Sequence, residues 1–225
     1  MKSLLSGAVL RGFVLTGLLL SGRGQTLRAV PIRPVKEKPT TPFIDLQPKA
    51  NHKLTDNFHT PDSVGNNLAE LPKGVQKFAG VKFHIGKGLI QLASPKVPNK
   101  PAKVEGIPVG KAFARLHILH ATGYAAGEGM LIGKYVIHYE DKTTAAIRIV
   151  YGKDVRDWWN IDPTKGVTRA KVAWEGKNQN TASIRLFLTT WQNPHPRKKV
   201  VSIDYLSTQT SDAAPFCVAL TVQTR

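Results

Sequence analysis

"LIGKYVIHYEDKTTAAIRIVY", residues 131–151, decides the fold class. Tyr135, Ile137 and Tyr139 alternate with Lys134, His138 and Glu140, and successive side chains of an extended chain point to opposite faces. The pattern predicts a strand with one dry face. Alternation resumes from Thr143 to Tyr151, which places a tight hairpin on Glu140-Asp141-Lys142-Thr143, although the Gly favoured at left-handed turn positions is missing.

The same period of two runs through most of the chain. It recurs in FAGVKFHI (78–85), GLIQLA (88–93), AFARLHILHA (112–121), VTRAKVAWE (167–175), ASIRLFLTTW (182–191), KVVSIDYLS (199–207) and FCVALTV (216–222). In VTRAKVAWE, Ala170, Val172 and Trp174 oppose Arg169, Lys171 and Glu175; in KVVSIDYLS, Val201, Ile203 and Tyr205 oppose Ser202 and Asp204. Gly, Pro, Asn or Asp bound each run, and nothing carries the period of a long amphipathic helix. The lack of crossover helices favours an antiparallel over a parallel sheet. The expectation is an all-β chain, a two-sheet antiparallel β-sandwich or jelly roll, with each strand half buried.

The first 29 residues have a Lys at position 2, an apolar stretch from Gly12 to Leu20 interrupted upstream by Arg11, and small residues after it. This is the outline of a secretory signal peptide, and the apolar stretch falls short of the roughly 20 residues of a spanning helix. Residues 30–50, rich in Pro and Lys, read as an extended linker, which leaves a single β-sandwich domain over 51–225. The expected location is extracytoplasmic, with no transmembrane span once the signal is removed. One cysteine, Cys217, excludes an intrachain disulfide, and its apolar flanks predict a buried, inert thiol.

The formal charge is +17, from 32 Lys and Arg against 15 Asp and Glu. So basic a chain favours an anionic partner. Its cations are spread over most segments, with no recognition helix and no aromatic-basic signature of an RNA-binding sheet, which argues against nucleic acid and for acidic polysaccharide or the anionic envelope.

Longer stretches add a family resemblance. They are NNLAELPKGVQKFAGVKFHIGKGLIQL (66–92), VEGIPVGKAFARLHILHAT (104–122), GKYVIHYEDKTTAAIRIVYGKDVRDWW (133–159) and TTWQNPHPRKKVVSIDYLST (189–208). Together they resemble a bacterial family of secreted jelly-roll domains of the galactose-binding-like type, found alone or accessory to glycoside hydrolases. The resemblance covers residues 43–222 and implies a sandwich with binding or accessory roles. No catalytic motif of the family is present to carry over, and Lys142 stands where the group usually has Gly.

Candidate sites follow from residue chemistry. Asp157-Trp158-Trp159-Asn160 is the most aromatic spot on the chain, and adjacent Trp residues on a strand point oppositely, one to the core and one outward. Trp158, Trp159 and Trp191 are the stacking candidates for a sugar face; the competing reading makes them corner plugs of the sandwich. Asp157, Asn160, Asn193 and His195 are the polar-rim candidates. Asn193-Pro194-His195-Pro196 reads as a stiff connection, because a residue before Pro is pushed to extended geometry. His117 and His120 lie three apart on a strand, face opposite sides and cannot share one ion, so no cofactor is expected beyond a structural Ca²⁺ on the oxygen-rich loop of Asn51, Asp56 and Asn57.

For catalysis, Asp56, Glu70, Glu128, Asp157 and Glu175 are available, but spacing singles out no pair, and there is no Gly-x-Ser-x-Gly elbow or phosphate loop. Three readings stand: an exported, non-catalytic domain that binds carbohydrate or another envelope component; a structural or protein-interaction β-sandwich; and a hydrolase of unknown class.

Overall fold

The computed structural model describes residues 42–59 and 62–224. Tyr135, Ile137 and Tyr139 are 1% exposed or less, while Lys134 and Glu140 are exposed, so the alternation is the pleat of a half-buried strand. The strands are β1 (Phe43–Ile44), β2 (His52–Lys53), β3 (Gly74–Phe78), β4 (Val81–Ile85), β5 (Gly88–Gln91), β6 (Lys103–Lys111), β7 (Arg115–Gly123), β8 (Leu131–Tyr139), β9 (Thr144–Val150), β10 (Lys171–Lys177), β11 (Ser183–Gln192), β12 (Val200–Ser207) and β13 (Ala214–Gln223). The described residues hold no α-helix; the one helical turn is the short 3₁₀ turn Gln47–Lys49.

These strands make an antiparallel all-β sandwich. The larger sheet runs β10-β11-β7-β13-β5-β2, with β1 also on β13; the smaller runs β6-β12-β8-β9; β3 and β4 form a separate hairpin. Tyr135 and Tyr205, stacked 4.4 Å apart, project from the smaller sheet toward His120 of β7, whose ring lies 6.2 Å from Tyr135. The far face of the larger sheet is covered as well. There Thr221 Oγ1 donates to the Lys82 carbonyl of β4 at 2.9 Å, and the Phe58 ring lies 5.0 Å from Phe216. Nearly all of β5, β7 and β13 is therefore buried on both faces, unlike the half-buried strands expected throughout.

Other departures have local causes. FAGVKFHI is a turn and half a hairpin: Ala79 and Gly80 both have positive φ, as a two-residue turn between antiparallel strands requires. β6, absent from the sequence runs, is an edge strand whose Pro108, Gly106 and Gly110 break the apolar pattern, and its register on β12 shifts twice. The shift between Val200 and Ser202, present on the β8 side of β12 too, buries Val200 and leaves Val201 46% exposed, which reverses the facing expected for Val201. Val172, on the edge strand β10, is likewise exposed rather than inward.

At the N-terminal side, residues 42–50 belong to the fold rather than to a linker. β1 pairs with β13, and Ile44 and Leu46 are buried in the core. Residues 1–29, where a signal peptide is expected, and residues 30–41 of the expected linker lie outside the described residues. Among the described residues no helix is long and apolar enough to cross a membrane. Cys217 is 1% exposed, and burial pushes its thiol up to about 12, which keeps it protonated and unreactive.

Candidate functional site

The described residues between β2 and β3 form no helix or strand, yet their course is set by packing and backbone hydrogen bonds. Leu54, Phe58, Leu68 and Leu71 are buried along it, Leu68 N donates to the Leu54 carbonyl at 2.8 Å, and Phe58 N donates to the Asn66 carbonyl at 2.7 Å. Asn66, 1% exposed, is the hub. Trp159 Nε1 and Asn178 Nδ2 each donate to Asn66 Oδ1 at 2.9 Å. An indole N–H can only donate, which identifies the amide oxygen and leaves Asn66 Nδ2 facing His59 Nδ1 at 2.9 Å. Nδ1 therefore accepts, and the ring proton of His59 sits on Nε2. Burial lowers the His59 pKa, so the ring is neutral and presents a buried N–H with no hydrogen-bond partner among the described groups.

His52 stands in the same condition. It is 6% exposed, packs on Phe58 at 4.3 Å, and its Nε2 also lacks a partner. Burial, aided by the nearby Lys100 charge, pushes its pKa down to about 4. His52 and His59 line one pocket of about 400 Å³ together with Asp56, Asn57, Asn99 and Lys100. Lys100 Nζ is anchored on the Asn51 carbonyl at 2.9 Å. On the other side of His59, Tyr124 lies 4.3 Å and Trp159 5.3 Å away, ring to ring. His59 and Tyr124 both hold φ values of 74° and 61°, a left-handed conformation that costs a bulky residue on the order of 1–3 kcal/mol and collects at functional sites. Polar atoms without partners, aromatic faces and strained backbone thus meet at one end of the sandwich.

Of the residues singled out from sequence, Trp159 and Asp157 are at this place. Trp159 is half buried, with its N–H committed to Asn66. The Asp157 carboxyl accepts from Trp159 N at 3.2 Å and is pushed up to about 6 by burial. Asn160 Nδ2 donates to Glu175 at 3.2 Å, toward β10. Trp158 is a correction: it is fully buried, 4.6 Å from Phe58 and 6.2 Å from Phe216, and offers no face to a ligand.

Trp191 is elsewhere, in a groove of about 260 Å³ edged by Arg148, Arg169 and Thr190, where it is half buried against the core. Asn193 is a second correction. It is 6% exposed and fully engaged, accepting from Tyr139 Oη at 2.6 Å and His195 N at 2.9 Å while donating to the Phe113 carbonyl at 2.8 Å. His195 is exposed beside Tyr139. The supposed Ca²⁺ loop has another use for its oxygens. Asn51 Oδ1 accepts from Gln91 N at 2.9 Å, Asp56 Oδ2 from Lys53 N at 2.8 Å and Asn57 Oδ1 from Gly65 N at 3.1 Å. Among the described residues no three His, Cys, Asp or Glu side chains gather into a metal-holding group.

Sequence reading missed His52, His59, Asn66, Lys100 and Tyr124. None lies in an alternating run that marks its facing except through contacts made at long range, such as Asn66 to Asn178 and Trp159. The lone clue was the oxygen-rich loop of Asn51, Asp56 and Asn57, read there as a Ca²⁺ candidate. No family model matches the chain, and no curated protein matches it either.

Proposed function

We propose that the domain is an exported, non-catalytic binding module of the galactose-binding-like kind, acting outside the cytoplasm, and that its ligand is carbohydrate held in the pocket walled by His52 and His59. The observation that carries this reading is the pair of neutral imidazoles with Nε2 atoms free of protein partners in one pocket of about 400 Å³, a volume within the roughly 300–1,000 Å³ of small-ligand sites. Buried polar atoms are usually paired, and of the residues left with an unpaired buried atom among those described, His52 and His59 are the two that line this pocket. Sugar hydroxyls both donate and accept, which matches the polar lining of Asp56, Asn57, Asn99 and Lys100, while the Tyr124 and Trp159 rings hold His59 in place from behind. A second reading, a structural or protein-interaction β-sandwich of the envelope, draws support from the complete burial of Trp158.

The test is a titration of the purified chain with an array of oligosaccharides, followed by tryptophan fluorescence. Binding of particular glycans, weakened about tenfold or more in both His59→Ala and Trp159→Ala with unchanged circular dichroism, is the expected result. Glycan binding indifferent to both substitutions places the ligand elsewhere, and no binding on any array member favours the protein-interaction reading.

A further inference from the structure

The pocket of His52 and His59 shares a wall with a second space. A larger depression of about 670 Å³ adjoins it, and His52, Thr55 and Asp56 line both spaces. Lys53, Lys73 and Lys87 edge the larger space and are all exposed; Lys100 edges the smaller. Asp56 supplies the only carboxylate of either lining. None of these four ammonium groups forms an ion pair among the described residues, although elsewhere lysines do, as in Lys103 with Glu105 and Lys198 with Asp141. Four cations with the single carboxylate of Asp56 among them, around two adjoining depressions, raise the local concentration of anions.

Three independent elements deliver the lysines. Lys53 belongs to β2, Lys73 immediately precedes β3, and Lys87 lies in the turn between β4 and β5. Their convergence on one depression is therefore a product of the tertiary fold and not of a basic run in the sequence. The two spaces in series suit a short chain of sugar units better than a single ring.

We infer that the paired pockets hold a polyanionic glycan. One sugar sits against His52 and His59, and carboxylate or sulfate groups of the following units lie on Lys53, Lys73 and Lys87. The inference rests on the carbohydrate-binding reading above and adds the ligand class and the direction in which the chain runs. Lys100, held on the Asn51 carbonyl, sets a fixed charge on the wall of the smaller space.

The experiment uses the full chain and four probes of matched length: a neutral oligosaccharide, a carboxylated one, a sulfated one and a single-stranded DNA oligonucleotide, each titrated at low and high salt. The expected result is tighter binding of an acidic than of the neutral oligosaccharide by about tenfold or more, from several ammonium contacts of modest strength each. The tighter of the two acidic probes names the substituent. Lys73→Gln combined with Lys87→Gln brings acidic binding down to the neutral level and flattens its salt dependence. Lys134→Gln combined with Arg148→Gln, on the smaller sheet, leaves the preference intact.

Equal binding of neutral and acidic probes overturns the inference and leaves the carbohydrate reading standing. So does an acidic preference that survives the Lys73 and Lys87 changes. Loss of the preference in the Lys134 and Arg148 variant, or DNA binding as tight as the acidic glycan, shows undirected attraction of polyanions and also overturns it. Absence of binding to every oligosaccharide removes both proposals.

Discussion

Residues 157–160 and residues 189–199 both set tryptophan beside polar side chains, and the fold holds them by different means. The first segment is inserted between two strands where these diverge. Trp158 N donates to the Thr122 carbonyl of β7 at 2.8 Å, while Arg185 N of β11 donates to the Trp158 carbonyl at 2.7 Å and Asn160 N to the Ser183 carbonyl at 2.8 Å. Paired on both edges, it behaves as a strand: Trp158 turns to the core and Trp159 to the rim. The second segment is a strand end followed by a clasp. Asn193 ties Tyr139, Phe113 and its own turn together, Lys198 Nζ reaches Asp141 at 2.5 Å, and Glu140 N donates to the Lys199 carbonyl at 3.0 Å. Prolines 194 and 196 stiffen a connection whose task is to hold the β8–β9 hairpin. Tryptophan beside polar residues is thus no guide to a ligand site by itself; what decides is whether unpaired polar groups line a pocket, as His52 and His59 do, or are spoken for, as at Asn193, or are sealed in the core, as at Trp158 Nε1.

The largest effect that separates the two regions is expected from Trp158→Ala. Removing a fully buried ring between Phe58 and Phe216 costs about 3–5 kcal/mol in urea denaturation, because transfer and cavity contributions add. Trp191→Ala, at a half-buried ring, costs less than half of that. Equal costs for the two substitutions mean that Trp191 is as much a core residue as Trp158, and the contrast drawn above collapses.

How much of this was legible follows from the range of the signals. The β8–β9 hairpin was readable because strand alternation is a local property, and one face of that strand is wet. Central strands such as β13 are apolar on both faces, so their runs were visible while their double burial was not. The opposite facing of Trp158 and Trp159 followed from alternation alone. The partners of Asn66, His59 and Trp159 are joined across sequence separations that no local pattern records, and the positive φ at His59 and Tyr124 is imposed by that packing on residues which do not advertise it.

An effect of intermediate size concerns the strand leading into the second region. His120 of β7 is 1% exposed, its Nε2 lies 2.9 Å from Thr189 Oγ1 of β11, and burial pushes its pKa down to about 4. The unfolded chain, with the ordinary value near 6.5, binds more protons between those two pH values, so stability from this residue is present above about pH 6.5 and is lost as the pH falls toward 4. The loss is about 3 kcal/mol. His52 moves the same way, while Asp157 opposes it, because its folded value near 6 lies above the unfolded one and its stabilising contribution is lost as pH rises through that value. The clean readout is the difference between wild type and His120→Gln, which retains a group to meet Thr189. Denaturation midpoints should converge as pH is lowered from 7 to 4; parallel curves would show that His120 takes up its proton as readily in the folded protein as in the unfolded chain.

The smallest effect tests the hairpin that the clasp holds. Lys142 has φ of 68°, with its N–H donating to the Tyr139 carbonyl at 3.0 Å and Tyr139 N donating to the Thr143 carbonyl at 3.0 Å. This is the left-handed turn position where Gly is favoured and a side chain is strained. Asp141 compensates in part: its carboxylate accepts from Thr143 N at 3.1 Å and Thr143 Oγ1 at 2.6 Å, and with Lys198 alongside it is held well below the usual carboxylate range. Lys142→Gly removes the strain but gives the unfolded chain more freedom, and strain relief is the larger of the two at a positive φ, so a net gain of about 0.5–1 kcal/mol is expected. Lys142→Asn, which tolerates the same conformation, should give a smaller gain. Because the turn is fastened by Asn193 and Lys198 rather than by Lys142, neither substitution should alter the pH or glycan responses of the opposite end. A loss of stability in Lys142→Gly would mean that the lysine stem itself packs on the clasp, and that the second region, like the first, holds its turn through side chains on both partners.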